Sequence, residues 1–301
     1  MINQFPMTLL AQMDDVAVFQ TAAFSMDETS NVKALGSNKA QAGQKGQAHY
    51  GELNLGLHVK DDATTVLTNR MRLLAAINEQ VANVMPKGEP CTKIERLHWV
   101  NQVHGKQIQN IDTAALSMEP MAADAMISKQ AGLGLAIMTA DCVPIVLYQP
   151  ASGQIAAIHA GWQGLACGII QATVQEFAEY GEIKAWIGVC ISQASYEVGR
   201  QVRDQLLAGC VETQSLIEDD IENFDQRYVV HSEADNADKL KLNLPKLAAD
   251  QLKASQVTLA DELPKSCSYA DAHYYSYRRQ THLHQPATGR MALVIARCDA
   301  I

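Results

Sequence analysis

Between residues 133 and 159 the chain carries three short apolar runs, Leu133–Met138, Pro144–Tyr148 and Gln154–His159, each parted from the next by a turn. Apolar runs of that length between turn residues read as buried strands. Three in close succession commit the chain to a sheet at the centre of its fold. The most apolar span, 133–148, is broken once, at Asp141. A soft or borderline metal ligand stands at the end of such runs: Cys142 in Thr139-Ala140-Asp141-Cys142-Val143-Pro144, and His159 in His159-Ala160-Gly161-Trp162-Gln163-Gly164. A third, His104 in Asn101-Gln102-Val103-His104-Gly105, follows the alternating, strand-like stretch 94–100.

Two imidazoles and one thiolate suit Zn²⁺ and leave its fourth tetrahedral position open to water or substrate. A structural zinc site is closed by four protein ligands, so three ligands on three separate loops point to a working site. Singly, each has a commoner structural reading: a histidine beside a glycine turn, a cysteine packed as a small hydrophobe. Asp141 adds weight, because a carboxylate in an apolar stretch is costly to bury unless paired. It is expected to orient a ligand histidine, to move protons, or to sit in a buried salt bridge.

Gly161 and Gly164 flank Trp162 just before a helical pattern, where backbone N–H groups favour an anion; the alternative is a plain capped turn. Arg278 and Arg279, in Ser276-Tyr277-Arg278-Arg279, are adjacent guanidiniums on chain expected to be irregular. Their forks suit phosphate, and on a strand only one of them would reach a site; the alternative is two solvated arginines. His282 and His284 fall in a Gln/Thr/Pro-containing loop and read as exposed, while His58, His98 and His231 take no role.

Organisation follows the same patterns. Strands are expected at 16–24, 94–100, 185–189 and 291–296, and helices at 66–81, 164–180 and 209–223. A further helix starts at Asn243-Leu244-Pro245, with Asn as cap and Pro just inside, and runs to about Ala254. Strands and helices mix without strict alternation. The expected fold is therefore α/β: one domain over 1–301, an α/β sandwich with mixed β-sheets. A Gly/Ser/Asn/Gln-rich stretch at 25–49 reads as a flexible loop. No Gly-x-Gly-x-x-Gly follows a strand, so no dinucleotide site is indicated.

The net charge of −9, with no long basic run, argues against nucleic-acid binding. No apolar run is long enough to span a membrane, and the N-terminus lacks a signal-peptide pattern. Seven scattered cysteines without a Cys-x-x-Cys pair suggest reduced thiols and a cytoplasmic protein. The expected partners are small molecules. Nothing fixes the oligomeric state, and a monomer is compatible with the sequence.

Taken together the strings are familiar. Asn54-Leu55-Gly56-Leu57-His58 with Asp61-Asp62, the His104, Cys142 and His159 motifs, Ala123-Asp124-Ala125, Tyr196-Glu197-Val198-Gly199, Ser276–Arg279 and Thr288-Gly289-Arg290-Met291-Ala292 occur in the order of the polyphenol-oxidase-like laccase-domain family. The resemblance runs from about residue 50 to the C-terminus. It implies a single-domain α/β sandwich with one catalytic zinc on His104, Cys142 and His159, copper being the second choice. It also implies purine nucleoside chemistry, namely phosphorolysis of adenosine, inosine and methylthioadenosine and deamination of adenosine, with a link in some bacterial members to peptidoglycan-precursor quality control. The chain departs from the family pattern at Gln163, where arginine is usual, at Val189-Cys190 and at Gln280, and 210–262 is longer than usual.

For deamination, the expectation is a zinc-activated water, with Asp141 or a nearby histidine passing the proton. For phosphorolysis, Arg278, Arg279 and the Gly161–Gly164 amides are the candidate phosphate holders. The rivals are a metal-independent cysteine hydrolase using Cys142 and His159, a peptidoglycan-precursor editing factor, a non-catalytic binding module, and a multicopper oxidase. The last needs many more His-x-His pairs than nine histidines provide here.

Overall fold

A computed structural model of the chain describes residues 5–25, 46–84, 93–114, 120–178, 180–231 and 238–298. The loop expected at 25–49 lies largely outside the described residues. Strands β1 (Met7–Met13) and β2 (Val16–Thr21) form an antiparallel hairpin, followed by the long helix α1 (Ala63–Val84). Then come β3 (Arg96–His98), β4 (Ile108–Asn110), β5 (Ala125–Ser128), β6 (Leu133–Thr139), β7 (Val143–Gln149) and β8 (Gln154–Ala160). The short helices α2 (Trp162–Ala166) and α3 (Ile169–Val174) lead to β9 (Ile183–Ile187) and β10 (Glu197–Gly199). Helices α4 (Arg200–Thr213), α5 (Glu218–Glu222) and α6 (Phe224–Tyr228) precede β11 (Val229–His231) and β12 (Lys239–Leu242). The chain ends with α7 (Leu244–Ala254), β13 (Val257–Leu259), α8 (Tyr277–His282) and β14 (Met291–Arg297).

The strands form two large mixed sheets, ordered β1-β2-β14-β6-β3 and β13-β9-β7-β8-β5-β4, and a small one, β10-β12-β11. Alternation along each strand sorts its side chains between two cores. On β6, Leu135 and Ile137 turn toward the second sheet and meet Val146, Ala157 and Trp186. Ala136 and Met138 turn the other way, toward Leu73, Ile77 and Val81 of α1. The second sheet likewise buries Ile145, Leu147 and Ile158 against Ile169, Ile170 and Leu252 of the helices. The molecule is thus an α/β sandwich, two sheets face to face with helices outside each. Both faces of β6, β7 and β8 are covered, which is why they read as unbroken apolar runs.

Helix α7 starts as expected: the Asn243 side chain accepts from the Lys246 amide and Pro245 sits in the first turn. Two other helical expectations need correction. The stretch 164–180 is broken at Gly168, whose φ of +76° is left-handed, and a Cβ there would lie 3.1 Å from Thr213. The expected helix at 209–223 is two pieces, the end of α4, which begins at Arg200 and stops against Gln214 at φ +52°, and the separate α5. Close packing decides both. A Cβ on Gly209 would lie 2.3 Å from the Ala166 carbonyl oxygen, so α4 rests directly on α2 backbone. The 210–262 stretch supplies much of this outer helical layer. No described helix is long and apolar enough to cross a membrane.

Leu135 is fully buried between the sheets. Leu135→Ala should therefore destabilise the fold by about 2–5 kcal/mol, read as a lower denaturant midpoint with an unchanged slope. A loss under 1 kcal/mol would mean that this interface is not the mechanical core.

Candidate metal centre

Register brings the three ligands together. Strand β7 pairs with β8 so that Val143 faces Ala160 and Pro144 faces His159. Cys142, one residue before β7, therefore arrives beside His159 and Gly161. The His104 loop is held to the end of β6, in the other sheet, by Gln102, whose side-chain amide accepts from the Met138 amide at 2.9 Å and donates to its carbonyl at 2.7 Å. As a result the ligand atoms of His104, Cys142 and His159 all lie within 4.8 Å of one another. The two imidazoles meet edge-on, with centroids 4.7 Å apart at 85°. Gly161 makes the room, because a Cβ there would stand 3.1 Å from Cys142 Sγ and 3.4 Å from a His104 ring carbon.

One carboxylate organises this trio. Asp124, fully buried just before β5, receives His159 Nδ1 at 2.9 Å. The same carboxylate accepts the amides of Val103, His104 and Gly105 at 3.3, 2.9 and 2.7 Å. It thereby holds His104 in a left-handed conformation, φ +61°, which a non-glycine residue adopts only when its surroundings enforce it. Burial alone would raise the Asp124 pKa, but the bonds from His159 and the loop amides hold it below the ordinary carboxylate range. With Nδ1 bonded to Asp124, His159 turns Nε2 toward Cys142, the arrangement that fixes a metal-binding tautomer.

The electrostatics favour a thiolate. Burial opposes ionisation of Cys142, yet His159 and His104 outweigh it and pull the thiol down to about 6. The His159 ring is disfavoured as a cation by burial, but the Cys142 thiolate and Asp124 drive it up to about 9. A thiolate between two imidazoles is a donor set that fits one borderline divalent ion. Among the described residues this is the one group of three or more His, Cys, Asp or Glu side chains close enough to hold a metal.

The other expected site residues divide. Asp141, at φ +111°, lines the cavity. Its carboxylate, however, accepts from Ser268 Oγ at 2.7 Å and from the Arg278 amide at 2.6 Å, so it anchors the start of α8 and orients no ligand histidine. Burial raises its pKa against those bonds. The Ser276–Arg279 stretch, expected to be irregular, is helical, with Ser276 Oγ capping the Arg279 amide. Arg278 faces the cavity, with Nη1 on the Glu197 carbonyl and the guanidinium 5.3 Å from the Tyr196 ring centre. Arg279 is buried in the fold and donates to the carbonyls of Ser268, Tyr269, Asp271 and Tyr274. These four bonds correct its expected place at phosphate. Gly161 lines the cavity, but Gly164 does not; its missing side chain lets α2 pack close to the His159 carbonyl. His282 and His284 are exposed, as expected, with His282 bonded to the Tyr269 hydroxyl.

The centre opens into a cavity of about 570 Å³, whose lining also includes His58, Thr139, Trp162, Tyr196, Tyr277 and Arg290. Sequence reasoning passed over Asp124, His58, Tyr196 and Arg290. Asp124 carried a usable signal, a lone carboxylate leading into the apolar Ala125-Met126-Ile127, the same signal that singled out Asp141. His58 carried none. It comes to the cavity on a short 3₁₀ turn, and its pKa falls to about 4 through burial and the nearby Arg290, Arg70 and His104.

Residues 38–298 match the family described as multi-copper polyphenol oxidoreductase laccase. The chain is 33% identical over 257 residues to purine nucleoside phosphorylase PA4543 of Pseudomonas aeruginosa, covering 85% of this chain and 90% of that one. It is 34% identical over 251 residues to purine nucleoside phosphorylase YfiH of Escherichia coli K12, covering 82% and 86%. The crystal structure of Neisseria meningitidis protein NMB0706 superposes with a TM-score of 0.67 at 25% identity, covering 97% and 99% of the two chains.

Two outcomes test the centre. Cys142→Ala should abolish binding of the roughly one zinc per chain expected for this donor set, measured by elemental analysis after dialysis; full occupancy in the variant would remove Cys142 from the ligands. Asp124→Asn should keep the fold but weaken metal binding by about 10–100-fold in a competitive chelator titration. An unchanged affinity would show that His159 needs no such support.

Proposed function

The chain belongs to the multi-copper polyphenol oxidoreductase laccase family, and from that premise we propose that it is a zinc-dependent purine nucleoside phosphorylase. The observation that carries the reading is the meeting, in one cavity of ligand size, of a two-histidine, one-thiolate centre with the Arg278 guanidinium. The names of the relatives supply the substrate class. Zinc is proposed over copper because the reaction transfers no electrons and zinc is a redox-inert Lewis acid. When bound on His104, Cys142 and His159, it would supply positive charge to polarise an oxygen in the cavity.

In phosphorolysis a phosphate oxygen forms a bond to the ribose C1′ as the C1′–N9 bond breaks. The bonding pair leaves with the purine, which takes up one proton. Arg278 holds the phosphate by the guanidinium donors not given to the Glu197 carbonyl, steadied by that carbonyl and the Tyr196 ring. The exposed Tyr277 and the partly buried Trp162 and Tyr196 offer aromatic faces for the base. Asp141, held high by burial, is the candidate to retain or release that proton at the cavity wall. Adenosine, inosine and methylthioadenosine are the proposed substrates, in the cytoplasm. Adenosine deamination is a second proposed activity. It requires the nucleoside to turn, because water must then reach C6, several bonds from C1′.

One rival keeps a specific observation. Cys142, His159 and Asp124 line up as a nucleophile, base and orienting acid would. The second imidazole, His104, set against the same thiol favours the metal reading, and loss of metal with Cys142→Ala distinguishes the two.

Turnover of adenosine, inosine and methylthioadenosine should depend on added phosphate and yield ribose 1-phosphate or its methylthio analogue. Arg278→Ala should raise the KM for phosphate about tenfold or more, from the loss of a charged hydrogen bond of about 1.5–3 kcal/mol, and leave deamination much less affected. Equal losses in both reactions would move Arg278 to nucleoside binding. No phosphate-dependent product from any of the three would overturn the assignment.

A further inference from the structure

A second guanidinium lines the cavity. Arg290 stands at the entry to β14, next to Met291, and Met291 pairs with Thr139 at the end of β6. Its position is set by four neighbours. The backbone amide donates to Asn54 Oδ1 at 2.9 Å, and Nη1 donates to the carbonyls of Thr288 and Gly289 at 3.1 and 3.0 Å. The stem lies over Gly56, where a Cβ would come 2.8 Å from Arg290 Cγ. Among the described residues, Nε and Nη2 of this fixed side chain have no hydrogen-bond partner, and no carboxylate pairs with it.

Beside it is an orphan. Thr139 is 2% exposed and lines the same cavity, yet among the described residues its hydroxyl has no partner. A buried hydroxyl without a partner is uncommon and unfavourable, and points to a group supplied from outside the chain. The charges agree. Cys142 and Asp141 line the same cavity as Arg290. A phosphate brings about −1.5 to −2 charges, and Arg290 adds a second guanidinium to the one that Arg278 presents to the same cavity.

We propose that Arg290 and Thr139 form a phosphate-binding corner of the cavity, the guanidinium offering its unused Nε and Nη2 and the hydroxyl a third donor to one tetrahedral oxyanion. This deepens the phosphorylase reading and rests on it only for the source of the anion. That source is inorganic phosphate acting as the nucleophile, or the phosphomonoester of a nucleotide occupying the same corner.

The test uses full-length zinc-loaded protein with Arg290→Lys and Thr139→Val, which remove the fork and the hydroxyl. Binding of inorganic phosphate and of adenosine 5′-monophosphate is measured by calorimetry, alongside phosphorolysis with phosphate varied. Arg290→Lys should weaken phosphate binding and raise its KM about tenfold, and Thr139→Val several-fold, with the KM for nucleoside within about twofold. Thr139→Val removes a buried, unpartnered hydroxyl, so its melting temperature should stay level or rise, and it decides the matter if Arg290→Lys fails to fold. Weakened nucleotide binding with unchanged phosphate binding supports the corner and names the nucleotide as its source. Unchanged binding of both anions in Thr139→Val and in folded Arg290→Lys overturns the proposal. If wild-type protein shows no phosphorolysis while phosphate binding still depends on Arg290, the functional reading fails and the corner stands.

Discussion

The architecture of the site hangs on the Asp124 carboxylate. It is fully buried, carries charge, and spends its lone pairs on four donors: the His159 ring and three successive amides of the His104 loop. Burying such a group without those bonds would be strongly unfavourable. Once the sandwich closes over Asp124, the loop must therefore wrap around it and His159 must turn toward it. The two imidazoles are brought to one thiol by a single shared anchor, a rigidity that suits a metal centre.

The anchor works because of where the sheets place it. Strands β5, β7 and β8 are neighbours in one sheet, so the residue before β5, the residue before β7 and a residue near the end of β8 lie side by side. The other sheet contributes the ends of β6 and β14, where Thr139 and Arg290 sit. The cavity is thus built at the strand ends of both sheets. The rigid core lies immediately below it, and the loops that carry chemistry are short and tied to the strands.

Two left-handed backbone positions also meet at the cavity. His104 and Asp141 both have positive φ, and each is held there by a side-chain carboxylate: Asp124, which accepts three loop amides, in one case, and Asp141 itself, which accepts the Arg278 amide and the Ser268 hydroxyl, in the other. Such conformations persist only when packing and hydrogen bonds over-determine them. Here they aim a ligand and a cavity-wall carboxylate at one space. Arg279 plays a quieter part: its guanidinium gathers four carbonyls of residues 268–274, shaping the turn from which α8 presents Arg278 to the cavity.

Local pattern was enough to read the central strands, the capped start of α7, the mixed α/β sandwich and the three residues that converge on the centre. These are features written in neighbouring residues: apolar run length, Asn before Pro, a ligand type at a strand end. What local pattern could not supply was any relation across the sheet. Asp124 sits 35 residues before His159, and only the antiparallel pairing of β5 with β8 makes them partners. Arg278 and Arg279 are adjacent and chemically alike. A helix turn of 100° per residue sends one to the cavity and the other into the fold, and the Ser276 cap that starts that helix was read as loop. The breaks at Gly168 and Gln214 come from helix-on-helix contact at Gly209, which no periodicity encodes. Residue chemistry named the donors, and strand register with close packing decided which of them meet.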